Sequence, residues 1–249
     1  MSDQVTLAIV IPSYKETLAL PVLLSELKWG LTKKDVVIVV DDSPAEIALL
    51  VHQSCLQSLD GAECEFQFIP SGEKNGRGAA VRRGMQIVMN EYPNCQSIIE
   101  CDADGSHRVE DILKVKNTKV QNDLLIGSRY LLDSAIIGWP LSRRVFSYIL
   151  NKLIPKLVHI PIKDITNGLR KYSKASIHAI LERPQQNYGF IYLSEQAIIV
   201  KNSGLSISEV PITFVDRSLG TSTVTRHEIL QSIKGVLQLI FTGVNKVKL

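Results

Sequence analysis

The run Val36–Val40 (VVIVV) constrains the fold of this chain more than any other feature, because it is apolar at every position. A strand with one solvated face alternates apolar and polar residues, whereas a strand of a parallel sheet is covered on both faces and reads as a continuous apolar run. Four further segments read as strands, at Val5–Ile11, Glu65–Ile69, Ser97–Cys101 and Leu124–Ile126. The sequence therefore predicts a central, mostly parallel sheet.

Helical patterns separate these strands in the first half of the chain. They cover Glu16–Trp29, where apolar residues recur every three or four positions, Ala45–Leu59 and Ala79–Asn90. Strands that alternate with helices in this way are typical of a doubly wound α/β domain, in which helices flank the sheet on both faces. We predict this fold class.

The second half of the chain is more helical. Helical patterns cover Leu141–Leu157, Ser176–Leu181 and Ile191–Lys201, and the alternating segment Ser206–Phe214 predicts a strand that returns to the sheet. Because no repeat or Pro-, Gly- or Ser-rich linker separates the halves, we predict one domain over residues 1–225. Residues 226–249 are predicted as a C-terminal amphipathic helix.

Composition excludes several classes of protein. The net charge of +3 is too small to predict a nucleic-acid-binding protein, which normally carries a concentrated basic face. The four cysteines form no CxxC pair, which argues against a zinc ribbon or a redox motif and fits a reduced, cytosolic compartment. Neither a secretory signal nor a run of ~18 consecutive apolar residues is present. We expect a cytoplasmic protein, soluble or peripheral to a membrane.

Polar and glycine-bearing segments follow four of the predicted strands. In an open α/β sheet, ligands bind beyond the carboxyl ends of the strands, so these segments are expected to converge at one edge. Solubility alone does not explain four such segments, and the sequence therefore predicts a ligand site there. The segments are residues 12–16 (PSYKE), 41–44 (DDSP), 71–78 (SGEKNGRG) and 102–107 (DADGSH).

The pair Asp102 and Asp104 points to a divalent cation. Two carboxylates two residues apart repel each other unless a cation lies between them, although Asp-rich turns are also common on solvated surfaces. Oxygen ligands suit Mg²⁺ or Mn²⁺, and Mg²⁺ typically uses one or two carboxylates together with substrate phosphates. His107 is either a contact to metal or phosphate, or a hydrogen-bond partner that orients its neighbours.

The glycines of Gly76-Arg77-Gly78 do not form a dinucleotide-binding fingerprint. The pattern lacks a third glycine and follows the third predicted strand rather than the first. No Walker A motif is present either. The glycines would instead allow a flexible or closely packed loop beside a bound nucleotide.

Together these segments resemble the family 2 glycosyltransferases with a GT-A fold, and most closely the dolichol- or polyprenol-phosphate mannose synthases. The resemblance covers about residues 5–223 and implies a helical acceptor-side region in the second half. It also implies a nucleotide-sugar donor, Mg²⁺ or Mn²⁺, and a polyprenyl or dolichyl phosphate acceptor. It extends beyond the four loops to Gly127–Tyr130 (GSRY), Trp139–Arg143 (WPLSR), Asp164–Arg170 (DITNGLR) and Glu209–Arg217 (EVPITFVDR).

The resemblance implies roles for individual residues. The metal that bridges the diphosphate would be held by Asp102 and Asp104. The acceptor phosphate would be received by Arg129, Arg143 and Ser147, with Arg217 near the diphosphate. The nucleotide sugar would be bound by Pro12, Tyr14, Glu16, Asp41, Asp42, Lys74, Gly76, Gly78, Asp102 and Ala103, with the guanine nucleoside at Pro12, Tyr14, Glu16 and Asp42.

Physical reasoning agrees with the acceptor site. Arg143 and Ser147 are four residues apart in a helical pattern and so share one face of the helix. Two arginines and a hydroxyl suit a dianionic phosphate, which arginine binds through a fork of N–H donors. A phosphate monoester with a second pKa of ~6 is largely dianionic at neutral pH, so it needs little help from a general base. Direct attack on the anomeric carbon would invert its configuration.

Two other functions remain open at this stage. One is a family 2 enzyme with another nucleotide-sugar donor or a sugar-hydroxyl acceptor, for which Glu195 or Asp164 would be the nearest candidate base. The other is a catalytically inactive binding protein, which the presence of both aspartates disfavours. The chain departs from the family pattern at positions that bear on the donor: Lys15, the short Asp41–Pro44 loop, Leu169, Tyr192–Glu195 and Thr223.

The C-terminal helical pattern allows two readings. Its apolar residues, followed by Lys246 and Lys248, would suit a lipid headgroup layer at the cytosolic face of a membrane. Alternatively, the helix packs against the sheet. A membrane-anchoring partner subunit is a further option, although no residue in the sequence identifies one.

Overall fold

The structure, a computed structural model, describes residues 4–119, 122–187, 189 and 191–216 of the 249-residue chain. The predicted C-terminal helix at 226–249, the domain end at 225, Thr223 and Arg217 lie outside these residues. The strands are β1 (Leu7–Ser13), β2 (Asp35–Asp41), β3 (Glu65–Pro70), β4 (Ser97–Glu100), β5 (Leu124–Ser128), β6 (Ala135–Ile137), β7 (Arg170–Ser173), β8 (Ile207–Pro211) and β9 (Thr213–Val215).

Seven strands form the central sheet in the order β3-β2-β1-β4-β7-β5-β8. All neighbours are parallel except β7, which runs antiparallel to both β4 and β5. The other two strands, β6 and β9, pair in parallel as a small second sheet. The prediction of a mostly parallel sheet flanked by helices is confirmed.

The helices cover both faces of this sheet. They are α1 (Ala19–Leu27), α2 (Ala45–Ser58), α3 (Arg77–Glu91), α4 (Val109–Asn117), α5 (Leu141–Leu157), α6 (Lys174–Leu181) and α7 (Tyr192–Asn202). Among the described residues, no helix is long and apolar enough to cross a lipid bilayer.

The alternate side chains of each buried strand supply two separate cores. Along β2, Val36, Ile38 and Val40 pack with α3, α6 and α7 on one face, while Val37 and Val39 pack with α1, α2 and α4 on the other. Every residue of β2 is buried, as the continuous apolar run predicts. The sheet is therefore packed against helices on both faces.

Most predicted elements lie within two residues of the observed bounds, and two differ by more. The first helix begins at Ala19 rather than at Glu16, because Lys15 adopts a left-handed φ of 61° and its N–H donates to Ser43 Oγ at 2.7 Å. The last predicted strand, Ser206–Phe214, is divided after Pro211, so that β8 pairs with β5 and β9 pairs with β6. Proline has no N–H to donate, which suits a position where a ladder ends.

Candidate active site

The loops after β1, β2 and β4 converge at the carboxyl edge of the sheet. Ser13 is in register with Asp41, and the N–H of Asp42 donates to the carbonyl of Ser13 at 2.9 Å. Pro12 lies within β1 but beyond the last pairing of β1 with β4, at Val10, so its missing N–H leaves no gap in that ladder. The predicted convergence of the PSYKE, DDSP and DADGSH segments is observed.

The two aspartates after β2 are buried and fixed by backbone N–H groups. Asp41 Oδ1 accepts from the N–H of Ser43 at 3.0 Å, and Asp42 Oδ2 accepts from the N–H groups of Asn75 and Gly76 at 3.0 and 2.9 Å. Burial raises the pKa of Asp42, although the two N–H groups of the loop work against this shift. Asp42 therefore ties the loop after β3 to the loop after β2.

Cationic side chains surround the ring of Tyr14, which is half-buried at the end of β1. The Nζ atoms of Lys15 and Lys74 lie 5.2 and 5.0 Å from the ring centroid, within cation–π range. Glu16 lies in the turn before α1 and is also half-buried.

The glycines of the third loop have separate structural roles. Gly76 has a φ of 92°, a conformation that residues with a Cβ rarely adopt, and it leads directly into α3. A Cβ on Gly78 would lie 2.8 Å from Cγ of Tyr192. Gly76 thus allows the sharp entry into the helix, and Gly78 allows the close approach of α7.

The segment after β4 carries the predicted metal ligands. The N–H of Ser106 donates to Asp104 Oδ1 at 3.0 Å, which holds that carboxylate over its own turn. The N–H of Asp102 donates to His107 Nδ1 at 3.1 Å, so the ring proton resides on Nε2, which donates to Asn167 Oδ1 at 3.0 Å. Both ring nitrogens of His107 are engaged, and it acts as the hydrogen-bond partner that orients the loop.

Several buried polar atoms at this edge have no hydrogen-bond partner among the described residues. A buried polar group without a partner costs about 1–3 kcal/mol, so a cluster of such groups marks a place where ligand atoms or water are expected. Those at the ends of β1, β2 and β4 are Ser13 Oγ, Asp41 Oδ2, Asp42 Oδ1 and Ser106 Oγ.

The residues present fit a divalent cation that takes some of its ligands from the protein and the others from a substrate. Asp102 and Asp104 supply carboxylate oxygens on either side of the buried Ala103. Within the described ranges, no group of three or more His, Cys, Asp or Glu side chains is arranged to hold a metal by itself. A cation here would need further oxygen ligands, as Mg²⁺ commonly obtains from phosphates and water.

Arg77 makes contacts with this segment that the sequence did not predict. Its Nη1 lies 2.5 Å from Glu100 Oε1, and its Nη2 and Nε lie 2.6 and 2.9 Å from Asp102 Oδ1. Burial lowers the pKa of Arg77, but Asp102 and Glu100 outweigh this effect, and the net shift is upward. Burial raises the pKa of Glu100, which also accepts hydrogen bonds from the hydroxyls of Tyr172 and Tyr192.

Arg129, from the GSRY segment after β5, is held by Asp164. Asp164 Oδ2 accepts from the backbone N–H and Nε of Arg129 at 2.9 and 2.7 Å, and Oδ1 accepts from Nη2 at 2.8 Å. Nη2 also donates to Thr166 Oγ1 at 2.8 Å. Burial alone would raise the pKa of Asp164, but Arg129 outweighs it and the pKa is lowered. Three of the five guanidinium donors are thus committed, and within the described part of the chain no residue accepts from the two on Nη1.

Trp139 brings Arg129 and Arg143 together. The guanidinium carbons of Arg129 and Arg143 lie 5.1 and 4.0 Å from the centroid of its ring. Arg143 Nη1 also pairs with Asp216 at 2.8 Å, and the hydroxyl of Tyr130 donates to Ser147 Oγ at 2.7 Å. The indole Nε1 of Trp139 is a further buried donor without a partner in the described structure. The two arginines and Ser147, predicted as a phosphate site, lie around the first turns of α5.

The two carboxylates that were candidates for a general base are occupied. Asp164 is fully buried against Arg129. Glu195, also buried, accepts from the backbone N–H groups of Gln186 and Asn187, both at 2.9 Å, and from Asn187 Nδ2 at 2.8 Å. Glu195 therefore shapes the loop before α7.

Comparison with known proteins gives the family. A model described as glycosyl transferase family 2 matches residues 8–181. A polyprenol monophosphomannose synthase of Mycolicibacterium smegmatis is 28% identical over 226 residues, which are 90% of this chain and 83% of that protein. An undecaprenyl-phosphate mannosyltransferase of Micrococcus luteus is 29% identical over 228 residues, which are 91% of this chain and 90% of that protein.

Solved structures share the fold at low sequence identity. Glucosyl-3-phosphoglycerate synthase from Mycobacterium tuberculosis, in complex with Mn²⁺, uridine-diphosphate and glucosyl-3-phosphoglycerate, superposes with a TM-score of 0.63 at 16% identity, covering 94% of this chain and 79% of that one. A mannosyltransferase from Pyrobaculum calidifontis, in complex with GDP-Man and Mn²⁺, gives 0.62 at 14% identity, covering 97% and 66%.

Proposed function

The chain belongs to glycosyl transferase family 2, and on that basis we propose that it transfers mannose from GDP-mannose to a polyprenyl or dolichyl phosphate with inversion at the anomeric carbon. The observation that carries the proposal is the pair of arginines on Trp139, together with the engagement of both candidate bases, Asp164 and Glu195, by other groups. This arrangement suits an acceptor that brings its own negative charge. The names of the curated relatives agree with such an acceptor.

The acceptor phosphate would lie between Arg129 Nη1, Arg143 and Ser147. Arg143 is partly exposed, so its fork is accessible to a ligand, and the Ser147 hydroxyl, which accepts from Tyr130, still has its own proton to donate. Charge-assisted hydrogen bonds of this kind are about twice as strong as neutral ones. Arg217, next to Asp216 in sequence, is proposed to contact the diphosphate.

A hydroxyl acceptor fits the site less well. Attack by a sugar hydroxyl requires a base to remove its proton, and a base must have an available lone pair near the operating pH. The pKa of Asp164 is lowered by Arg129, and the oxygens of Glu195 accept three N–H groups. A phosphate oxygen is already ionised at neutral pH and attacks without such help.

The donor is proposed to bind along the ends of β1, β2 and β4. The unpartnered oxygens of Asp41 and Asp42 would accept N–H or hydroxyl groups of the nucleoside, with Pro12, Tyr14 and Glu16 beside it. The loop that carries Lys74, Gly76 and Gly78, held by Asp42, would close over the nucleotide. Lys74, near the ring of Tyr14, adds positive charge toward the donor's phosphates.

Asp102, Ala103 and Asp104 are proposed to form the metal and diphosphate segment, with Mg²⁺ or Mn²⁺ as the ion. When bound, the cation would neutralise charge that develops on the departing diphosphate. His107 Nδ1 accepts from the backbone N–H of Asp102, and the N–H of Ser106 donates to the carboxylate of Asp104. The residues of this chain thus supply orientation and two oxygen ligands.

Helix α5 is proposed to place the enzyme on the cytosolic face of a membrane. An exposed apolar stripe with a spacing of four residues runs along it: Leu141, Val145, Ile149, Leu153 and Leu157. A large exposed apolar face near a binding site marks an interaction surface, and an amphipathic helix can lie in the plane of a lipid interface. Residues 226–249 are proposed to add to this contact.

Transfer can be tested directly with radiolabelled GDP-mannose, Mn²⁺ or Mg²⁺, and a polyprenyl phosphate in vesicles. We expect metal-dependent label in the organic phase and its loss in Asp104→Ala. Transfer from UDP-sugars alone would move the proposal to another donor, and label on a soluble sugar would move it to a hydroxyl acceptor. No transfer with any donor to polyprenyl phosphate would refute the lipid-phosphate acceptor.

Membrane binding is tested separately by flotation with vesicles that contain anionic lipid. We expect Ile149→Glu to reduce flotation strongly. Leu49→Glu is the matched control, because Leu49 is an exposed apolar residue of α2, at 57% exposure against 53% for Ile149. Equal flotation of Ile149→Glu and the unmodified protein would exclude α5 as the membrane contact.

A further inference from the structure

Arg77 lies behind the proposed metal site and bridges two acidic side chains. It is the first residue of α3, and its guanidinium reaches Glu100 with Nη1 and Asp102 with Nη2 and Nε. Glu100 is fully buried, and it ends β4 two residues before Asp102. Both contacts from Arg77 to Asp102 fall on Oδ1, while Oδ2 lies 3.7 Å from His107 Nε2.

The guanidinium of Arg77 is closely surrounded by Gly168 and Tyr192. A Cβ at Gly168 would collide with Nη2 and would lie 3.0 Å from Cζ. The ring of Tyr192 also packs against the guanidinium with its centroid 5.4 Å from Cζ, and the hydroxyl of Tyr192 donates to Glu100. Gly78 in turn makes room for Tyr192. The glycines at 78 and 168 therefore create the slot that Arg77 occupies.

We propose that Arg77 is a positioning residue that fixes the Asp102 carboxylate for the cation, an inference that rests on the proposed function. Arg77 holds Oδ1, and His107 holds the backbone N–H of the same residue. Because Oδ1 and the backbone N–H of Asp102 are both held, the carboxylate has one orientation, in which Oδ2 would bind the metal. The side chain of Asp102 then loses its conformational entropy during folding rather than when the metal binds.

An arginine is required for this role because it must hold two carboxylates at once. The planar guanidinium presents N–H donors in a rigid fork, whereas a lysine ammonium is a point charge on a flexible stem. If Arg77 merely neutralised Glu100 inside the protein, a lysine would retain most of its effect on the metal. If Arg77 orients Asp102, the lysine would lose that effect, because it cannot hold Glu100 and Asp102 in a fixed geometry.

The test measures Mn²⁺ binding with GDP present, by titration calorimetry and by the electron paramagnetic resonance signal of free Mn²⁺. We expect Arg77→Lys and Gly168→Ala each to weaken Mn²⁺ binding by about 10–100-fold, the usual effect of changing a residue that orients a metal ligand. Gly168→Ala leaves the charge of Arg77 in place and displaces only its guanidinium. Arg82→Lys is the control, since Arg82 is also in α3 but donates to the carbonyls of Ile180 and Leu181.

Kinetics supply a second readout. For both variants, the Mn²⁺ concentration that gives half-maximal transfer should rise, with kcat at saturating Mn²⁺ within about threefold of the unmodified enzyme. Folded variants that bind Mn²⁺ within twofold of the unmodified protein would overturn the role of Arg77 and leave the proposed function intact. If the unmodified protein bound no Mn²⁺ with any nucleoside diphosphate, the metal site itself would be refuted, and the role of Arg77 with it. Should Arg77→Lys fail to fold, Gly168→Ala decides the question.

Discussion

Replacement of Asp164 by asparagine tests whether this carboxylate has a structural role or acts as a catalytic base. In the structure, Asp164 is fully buried and accepts three hydrogen bonds from Arg129 at 2.7–2.9 Å. Asp164→Asn keeps the shape of the side chain but leaves the charge of Arg129, which is 8% exposed, without its partner. Breaking a buried pair in this way typically costs 3–5 kcal/mol.

Because asparagine retains one carbonyl oxygen as an acceptor, we take the lower end of that range, about 3 kcal/mol. For a chain of 150–250 residues, each kcal/mol corresponds to roughly 2–4 °C in Tm, so Asp164→Asn should lower Tm by roughly 6–12 °C. Urea unfolding should show the same loss as a lower midpoint with an unchanged slope. Asp60→Asn, an exposed carboxylate in a turn, is the control and should change stability by under about 0.5 kcal/mol.

The pH dependence of stability gives an independent check that the ionised form of Asp164 stabilises the fold. The pKa of Asp164 is lower in the folded protein than its usual value of ~3.9, so the ionised carboxylate stabilises the fold at pH values above ~4. This stabilisation is lost as the pH falls toward the folded pKa. The stability difference between unmodified protein and Asp164→Asn should therefore be full at pH 7 and shrink below pH ~4. Unchanged stability with a large fall in kcat would refute this reasoning and identify Asp164 as a base.

Three further predictions concern the acceptor, the donor and the loop before α7. Trp139→Ala removes the ring under Arg129 and Arg143, and should raise KM for polyprenyl phosphate by about 2–30-fold, since the loss of such contacts costs about 0.5–2 kcal/mol in total. An unchanged KM would exclude a phosphate site there. Asp42→Asn should weaken GDP binding in calorimetry and yet stabilise the fold at pH 7. The raised pKa of Asp42 means that its ionised form opposes folding, and this cost disappears at acid pH. Lower stability of Asp42→Asn at pH 7 would contradict this prediction. Glu195→Gln should preserve the pH profile of kcat, whereas loss of the acidic limb, where a general base becomes protonated, would show that Glu195 is the base.

The sequence predicted the fold and the convergence of the polar loops at one edge of the sheet because both depend on patterns that are local in the chain. The apolar run of β2 specifies a buried strand, and the polar residues that follow β1, β2 and β4 must lie at the same edge of a parallel sheet. Helix α4 was missed although its charges carry a signal: acidic residues lie in its first turn and lysines in its last, which complements the helix dipole.

Strand β7 was missed for a different reason. Its sequence, Arg-Lys-Tyr-Ser, has no apolar pattern, because Arg170 is buried and satisfied by the carbonyls of Ile165, Asn167 and Leu193. Such a strand is stabilised by partners far away in sequence, which no local pattern reveals. The same applies to Arg77, whose partners Glu100 and Asp102 lie more than 20 residues further along the chain.

Under the proposed function, helix α5 would contact both a phosphate and a lipid. Arg143, Ser147 and Asn151 recur at four-residue intervals on one face, and Asn151 is buried against Thr166. The exposed apolar stripe that contains Val145 and Ile149 is offset from this face by two residues, or ~200° around a helix of 3.6 residues per turn. The proposed phosphate site thus faces the protein, while the apolar side chains on the opposite side of the same helix are exposed. With this arrangement, the phosphate of a lipid could enter the site beside the helix while its hydrocarbon chain stays outside the protein. An acceptor dissolved in water would not need an apolar surface next to the site.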